Sequence, residues 1–142
     1  MINYNENFIN ESKHDLLNRG FLYGDSVFES IKIINNKIIF WEDHYMRLMS
    51  SMRIARIEIS QNYTPEFFRS QILNTISKVN SNFSGRVRLS VFRKGGGYYT
   101  PISMSSSFII HCTISENNNF YIKNSDFKVD LFKDYYIQDN LL

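Results

Sequence analysis

The stretch that decides the fold of this chain is Arg19–Leu48, which reads RGFLYGDSVFESIKIINNKIIFWEDHYMRL. Gly20 and Gly24 bracket its first residues, and glycine permits backbone angles that other residues avoid. From Val27 to Ile34 the residues are mainly β-branched or aromatic, which favours a strand. The stretch therefore predicts a glycine-bracketed turn that leads into a strand.

The end of this strand predicts a hairpin. Asn35 and Asn36 suit a two-residue turn that tolerates positive φ, and residues Lys37–Phe40 return as the partner strand. Because side chains alternate along a strand, its residues divide between two faces. One face carries Phe28, Ser30, Lys32 and Ile34, and the other carries Val27, Glu29, Ile31 and Ile33.

The hydrophobic period changes after the hairpin and predicts two helices. Apolar residues within Glu42–Ala55 recur at helical spacing. Thr64 then offers an N-cap, followed by Pro65 at the first helical position. The apolar stripe of the first helix is Tyr45, Leu48, Met49 and Met52, and that of the second is Phe68, Ile72, Ile76 and Val79.

The rest of the chain reads mainly as strands. Residues 1–17 predict an edge strand or short hairpin, and further strands are predicted at Arg86–Phe92, Phe108–Ser115 and Phe127–Phe132. Residues 93–98 form a loop between two of them. Strands and hairpins with two helices grouped in the middle predict an α+β fold, with a mainly antiparallel sheet and both helices packed on one side.

The composition gives no sign of a protein that binds nucleic acid, holds a metal or spans a membrane. A net charge of +2 is too small to indicate a nucleic-acid-binding protein. His14, His44 and His111 are too widely spaced to predict a metal-ligand cluster. No run approaches the roughly 18 apolar residues needed to cross a bilayer. The first residues lack the pattern of a signal peptide, so we expect a soluble, cytoplasmic protein.

Cysteine and glycine motifs do not predict a catalytic site either. Cys112 is the only cysteine, so no internal disulfide can form. It follows the apolar residues Phe108–Ile110, which predicts a buried, inert thiol. Gly95–Gly97 lacks the Lys-Ser/Thr ending of a phosphate loop and opens no helix. A wide turn, or a lid over a site, suits it better.

The basic residues of the strands are more informative. Lys32 and Arg88 lie in mid-strand, where a half-buried cation needs a partner or a water-filled cleft. If the two strands are neighbours, Lys32, Arg86 and Arg88 line one face beside Phe28 and Ser30. Such a face suits a ligand that carries a carboxylate. A solvated face with ordinary salt bridges is the alternative, and the pattern alone favours that alternative.

Two motifs in the deciding stretch carry a family resemblance. Gly-Asp-x-x-Phe-Glu spans Gly24–Glu29, and His-x-x-Arg-Leu follows after a hairpin at His44–Leu48. Together they resemble the class IV aminotransferases, the fold-type IV group of pyridoxal-phosphate enzymes. That group includes branched-chain aminotransferases, D-amino-acid aminotransferases and aminodeoxychorismate lyases. The resemblance covers Arg19–Ile57 closely and extends more loosely to Tyr98.

The resemblance implies roles for particular residues. Arg47 matches the arginine that binds the phosphate of pyridoxal 5′-phosphate, and a guanidinium offers a planar fork to phosphate oxygens. The implied substrate-pocket residues are Tyr23 and Phe28 as aromatic walls, Arg88 as a substrate-facing cation, and Ser30 and Lys32 by alternation along the strand.

The resemblance also implies a division into domains. Residues 1–115 are expected to form an N-terminal small domain, 116–125 an interdomain linker, and 126–142 the start of a truncated second domain. In this family a lysine of the second domain forms a Schiff base with the cofactor. We expect that lysine beyond Leu142, so the 142-residue chain alone is expected to be inactive.

The reaction stays open between alternatives. The main prediction is the N-terminal part of a pyridoxal-phosphate-dependent class IV aminotransferase-like enzyme for amino-acid or aminodeoxychorismate-type carboxylates. The loop at 93–99 resembles that of 4-amino-4-deoxychorismate lyases of folate and p-aminobenzoate synthesis, which are the first alternative. Tyr98 and Tyr99 stand where D-amino-acid enzymes carry an arginine, which counts against D specificity. A non-catalytic binding domain is the second alternative. Expected partners are a small amino or keto acid and a second copy in a homodimer, with no nucleic acid and no membrane.

Overall fold

A computed structural model describes residues 2–9 and 18–115, together with Asp130. The predicted linker 116–125, the strand Phe127–Phe132 and the second-domain stretch 126–142 lie outside these residues, Asp130 apart. In chain order the elements are β1 (Ile2–Tyr4), β2 (Asn7–Ile9), α1 (Arg19–Tyr23), β3 (Ser26–Ile34), β4 (Lys37–Ile38), α2 (Trp41–Ile54), α3 (Pro65–Val79), β5 (Gly85–Arg93) and β6 (Ser106–Ile114).

The strands form one sheet of six in the order β2-β1-β6-β5-β3-β4. Every neighbouring pair is antiparallel. The predicted α+β class with an antiparallel sheet is therefore confirmed. The N-terminal hairpin is also confirmed: β1 pairs with β2 on one side and with β6 on the other.

One face of the sheet is covered by α2 and α3, and the core lies between them. Ile31, Val87 and Leu89 on the strands are fully buried, as are Met52 of α2 and Phe68 of α3. Burying side chains of this size contributes about 1.5–3 kcal/mol each. The alternation predicted for β3 is confirmed, since Ile31 and Ile33 belong to this core. The helix stripes contribute Leu48, Met49, Met52, Phe68, Ile72 and Ile76 to the same core.

The two long helices begin differently. Thr64 caps α3 as predicted, because its hydroxyl accepts a hydrogen bond from the amide of Phe67 at 3.1 Å. Phe40 precedes α2 with φ of 53° and makes no side-chain cap bond. The predicted strand Lys37–Phe40 is wrong in its second half, since β4 ends at Ile38. A left-handed residue cannot continue a β ladder.

The glycine-bracketed segment is a short helix, α1, and not the predicted turn. The side chain of Asn18 caps it by accepting from the amide of Phe21 at 2.9 Å. Gly24 closes it with φ of 66°, a conformation that glycine adopts readily. Gly20 lies against Phe92, where an added Cβ would come within 2.9 Å of the Phe92 Cβ. Because Gly20 has no side chain, α1 can pack against Phe92 on the second face of the sheet.

Beyond α1, the second face exposes polar and aromatic side chains. We call its central part the open face, formed by Phe28, Ser30, Lys32, Arg86, Arg88 and Ser90. No helix within residues 2–9 and 18–115 has the length and apolar character to cross a bilayer.

Candidate functional site

The strands bring three predicted pocket residues together on the open face. Ser30 of β3 stands opposite Arg88 of β5 in the ladder. The Arg88 Cζ lies 3.7 Å from the centre of the Phe28 ring. Arg88 also donates from Nε to Ser90 Oγ at 3.4 Å. A guanidinium stacked on a ring keeps its N–H groups in its own plane, where they remain able to bind a carboxylate.

The predicted neighbourhood of the basic residues is confirmed. Lys32 stands opposite Arg86 in the same ladder, two pairs along from Ser30 and Arg88 and on the same face. The ion pairs found within residues 2–9 and 18–115 do not include Arg86 or Arg88. The arrangement is compatible with both predicted alternatives, a carboxylate-binding face and a solvated face with surface salt bridges.

Tyr23 lies at the end of α1 and is about half exposed. Its ring centre is 4.8 Å from the Arg19 Cζ. Because α1 packs on the Phe92 end of the second face, Tyr23 marks that end of the sheet. It is therefore placed by a different element from Phe28 and Ser30.

Arg47 is held by an acidic partner on the opposite side of the sheet. Its Nε donates to Glu29 Oε1 at 2.8 Å and its Nη2 donates to Glu29 Oε2 at 2.5 Å. Glu29 lies on the helix-facing side of β3, next to Phe28 in the chain but on the other face. The structure therefore places Arg47 on the opposite side of the sheet from the open face.

His44 completes this group. Its Nδ1 is 2.7 Å from Glu29 Oε2 and, since an ionised carboxylate only accepts, Nδ1 carries the proton. The 2.9 Å separation of Nδ1 from Arg47 Nη2 is then a close contact between two donors. Burial raises the pKa of Glu29, but the hydrogen bonds from Arg47 and His44 outweigh it, so the net pKa is lowered. The hydrogen bonds that Arg47 donates to Glu29 in turn raise the pKa of Arg47.

Arg47 and Phe28 lie on opposite faces of the sheet, beside the same edge of β3. Within the described residues, β4 pairs only with Ile33 and Ile34, which leaves the outer side of Ser26–Ile31 without a neighbouring strand. We call Ser26–Ile31 the β3 edge. Arg47 contacts Glu29 of this edge from the helix side, and Phe28 belongs to the same edge on the open face.

The geometry of Arg47 fits a phosphate group. Its side chain is 58% exposed although its partner Glu29 is buried. Its bonds to described residues use Nε and Nη2, and Nη1 takes part in none of them. Glu29 thus holds the guanidinium in place and leaves one amino group for a phosphate oxygen, the kind of charge-assisted bond that arginine forms well.

Sequence reasoning missed a second charged group. Asp25 Oδ2 accepts from Arg19 Nε at 2.8 Å and from Arg93 Nη1 at 3.0 Å. Both arginines are less than a tenth exposed. Glu29 was missed as well, although an acid among Val27, Ile31 and Ile33 signals a buried carboxylate that needs a cation. Asp25 directly after a glycine gave no comparable signal.

The described residues offer neither a metal-binding cluster nor a reactive thiol. Residues 2–9, 18–115 and 130 contain no group of three His, Cys, Asp or Glu placed to hold a metal. Cys112 is buried as predicted, and burial raises its pKa to about 11. At neutral pH it is a protonated thiol and a poor nucleophile.

Comparison with known proteins gives matches to one group of enzymes. The family model for class IV amino-transferases matches residues 26–133. D-alanine aminotransferase of Listeria innocua serovar 6a is 31% identical over 84 residues, 59% of this chain and 28% of the relative. The branched-chain aminotransferase of Escherichia coli superposes with a TM-score of 0.65 at 24% identity, over 80% of this chain and 40% of that one.

A structure of 4-amino-4-deoxychorismate lyase from Pseudomonas aeruginosa superposes with a TM-score of 0.60 at 22% identity, over 74% of this chain and 37% of that one. At these identities the two superpositions show the fold alone. The chain spans less than half the length of each of these proteins.

Proposed function

Because this chain belongs to the class IV aminotransferase family, we propose that it forms part of a pyridoxal-phosphate-dependent enzyme for small carboxylate-bearing amines. The family's fold is present in the described residues as the antiparallel sheet with α2 and α3 on one face. The substrates proposed are amino acids, keto acids or aminodeoxychorismate-type carboxylates.

The observation that carries this proposal is the fixed position of Arg47. Glu29 holds it by two hydrogen bonds at the β3 edge, with the guanidinium largely exposed. In the proposed site Nη1 binds the cofactor phosphate. The cofactor, when bound, supplies an electron sink that stabilises a carbanion next to the substrate nitrogen. The residues of this chain bind and orient both molecules.

The open face is proposed to bind the substrate. Arg88, stacked on Phe28, meets the substrate carboxylate with the N–H groups at the edge of its guanidinium. Ser30 and Lys32 lie on the same face and provide further polar contacts, and Tyr23 closes the end marked by α1. An exposed salt-bridged surface would not need an arginine stacked on a phenylalanine.

Amino transfer is the favoured reaction. Relatives that match by sequence, among them those from Listeria innocua and Listeria monocytogenes, carry the name D-alanine aminotransferase, which supports transfer over elimination. The lyase alternative rests on the resemblance of the loop at 93–99 to that of the lyases. A non-catalytic binding domain is the third candidate.

Assay of the enzyme of which this chain is proposed to form part separates these reactions. D-alanine and L-leucine are each supplied with 2-oxoglutarate, and amino-4-deoxychorismate is supplied alone. Glutamate from either amino acid supports transfer and also assigns the stereochemistry. Release of p-aminobenzoate alone supports the lyase. No product in any assay, with phosphate-dependent cofactor binding absent, favours the binding domain.

Homodimerisation and a cytoplasmic location are proposed with this function. The described surface exposes large apolar side chains, which a second subunit or further protein would cover. They include Phe21, Leu22, Phe40, Met46 and Ile54. Light scattering at two concentrations tests self-association, and a mass that stays at one chain throughout contradicts the dimer.

A further inference from the structure

The loop between β5 and β6 displays two tyrosines in a defined conformation. We call residues 95–100 the tyrosine loop. Tyr98 is 82% exposed and Tyr99 is 97% exposed. Gly96 and Gly97 have φ of 105° and 79°, values that glycine adopts readily. The carbonyl of Gly96 also accepts from the amide of Ile102 at 3.4 Å.

One buried side chain holds this loop. Arg19 Nη1 lies within hydrogen-bond distance of three consecutive carbonyls, those of Gly96, Gly97 and Tyr98, at 3.2, 3.1 and 2.9 Å. Its Nε donates to Asp25, which fixes the guanidinium from the other side. A cation that meets three carbonyls of one loop constrains the backbone there much more than a single hydrogen bond can.

Arg93 provides an internal comparison. It shares the Asp25 carboxylate with Arg19 and is similarly buried. Its Nη2, however, donates to the carbonyls of Ala55 and Arg56 at 2.8 and 3.1 Å, beyond the end of α2. Arg19 therefore binds the loop, whereas Arg93 binds backbone carbonyls just beyond α2.

The position of Arg19 links the loop to the proposed substrate face. Arg19 is the first residue of α1, which packs on the second face through Gly20 and Phe92. The ring of Tyr23 also contacts the Arg19 guanidinium. The tyrosine loop and Tyr23 are thus placed together at the α1 end of the open face.

We propose that Arg19 is a positioning residue that holds the tyrosine loop in one conformation, with Tyr98 and Tyr99 placed to contact the substrate. The substrate then binds to a preformed loop and does not have to order it. The contact with substrate rests on the proposed function, whereas the restraint of the loop by Arg19 does not.

Limited digestion tests the restraint directly. Chymotrypsin cleaves after tyrosine, so its rate at Tyr98 and Tyr99 in the folded protein reports how often the loop opens. Arg19→Lys keeps the charge but cannot donate to Asp25 and the loop through one rigid fork. We expect cleavage there to rise about tenfold, because charge-assisted bonds that close the loop are lost.

Arg93→Lys is the matched control, because it also alters a bond to Asp25 but makes no bond to the loop carbonyls, and its cleavage rate at the two tyrosines is expected to rise much less than that of Arg19→Lys. Melting curves identify any variant that has lost its fold. An unchanged rate in Arg19→Lys overturns the proposal, as does an equal rise in Arg93→Lys.

Gly97→Ala tests the same loop with the charged cluster intact. An alanine Cβ would lie 2.1 Å from the carbonyl oxygen of Thr100. In the enzyme of which this chain is proposed to form part, with D-alanine or L-leucine and 2-oxoglutarate as probes, both Gly97→Ala and Arg19→Lys are expected to raise KM more than they lower kcat. Arg93→Lys is expected to leave KM unchanged.

An unchanged KM in both loop variants overturns the substrate contact. The proposed function fails separately if the enzyme of which this chain is proposed to form part shows neither amino transfer nor lyase activity, and the digestion still decides the role of Arg19.

Discussion

Glu29 is an acid on the apolar side of a strand, and its neighbours explain why it is tolerated there. Two donors of Arg47 and the Nδ1 of His44 meet its carboxylate. Removing a buried carboxylate from water costs free energy that only such partners offset. The same three contacts fix Arg47, so one pair stabilises the fold and orients the proposed phosphate ligand.

Replacement of Glu29 by Gln should change how stability depends on pH. Since the pKa of Glu29 is lowered in the folded protein, its contribution is complete above the ordinary value of 4.5 and is lost as the pH falls through the lowered value. Glu29→Gln should lower the free energy of unfolding at pH 7 by about 1 kcal/mol, a small cost because Arg47 is screened by water.

Denaturant unfolding at pH 7 and at several values below 4.5 checks this, and the deficit of Glu29→Gln should shrink toward zero in acid. A deficit that stays constant across this range contradicts the ion pair.

Arg88 should act on substrate affinity. Arg88→Leu removes the guanidinium stacked on Phe28, and we expect KM for an amino-acid substrate to rise at least about tenfold, the cost of a lost charged hydrogen bond. Arg69→Leu, on the exposed side of α3, is the control. Steady-state kinetics of both variants check this, and equal KM values argue against an open-face substrate site.

Element by element, sequence periodicity predicted most of the fold. Leu48 and Met52, and Phe68 and Ile72, recur at helical spacing because each pair lies over the sheet, so α2 and α3 could be placed to within a residue or two. Alternation at Ile31 and Ile33 likewise assigned the two faces of β3. These signals are local, and the burial that produces them follows the same periods.

What escaped prediction depends on contacts far apart in the chain. The helical state of α1 depends on Gly20 packing against Phe92, more than seventy residues away. The early end of β4 depends on the left-handed Phe40, which no propensity favours. Arg47 was placed in the pocket by resemblance, but its separation from Phe28 follows from the partner it finds in Glu29.

The first strand is tied to α3 by a buried polar contact. Asn3 Nδ2 donates to Gln71 Oε1 at 2.9 Å and to Thr75 Oγ1 at 3.1 Å. Asn3→Ala leaves the Gln71 oxygen without this donor, and we expect a loss of about 1–3 kcal/mol in the free energy of unfolding. Asn7→Ala, at an exposed residue of β2, should change little. Denaturant melts of both compare them, and equal stability contradicts the placement of β1.

Replacement by alanine should lower stability at Gly85 and leave it nearly unchanged at Gly95. An added Cβ at Gly85 would lie 2.2 Å from the carbonyl oxygen of Thr113, whereas nothing lies within 4 Å of one at Gly95. Gly85→Ala should weaken the β5–β6 pairing by about 1–3 kcal/mol, and Gly95→Ala should stay within about 0.5 kcal/mol of the parent. Thermal melts check both, and a neutral Gly85→Ala contradicts the register.

The two sides of the sheet carry different groups of residues in the molecule as a whole. Its helix side carries the core and holds Arg47, while its other side presents Phe28, Ser30 and Arg88. The β3 edge is where the two sides meet. We propose that a ligand there is bound by residues from both sides, so that a strand motif and a helix motif, fifteen to twenty residues apart in the chain, contribute to one site.

We propose that Arg47 binds the phosphate of the cofactor at the β3 edge, and a comparison of two ligands tests this contact. Pyridoxamine 5′-phosphate and pyridoxamine differ only in that phosphate and carry no aldehyde that reacts with surface lysines. Their affinities, measured by calorimetry, give the contribution of the phosphate as a ratio. Arg53→Met, at an exposed arginine of the same helix, controls for the loss of charge.

We expect the phosphate to strengthen binding at least about tenfold in the parent and in Arg53→Met, and Arg47→Met to abolish the difference. Equal ratios in Arg47→Met and the parent would contradict the proposed contact.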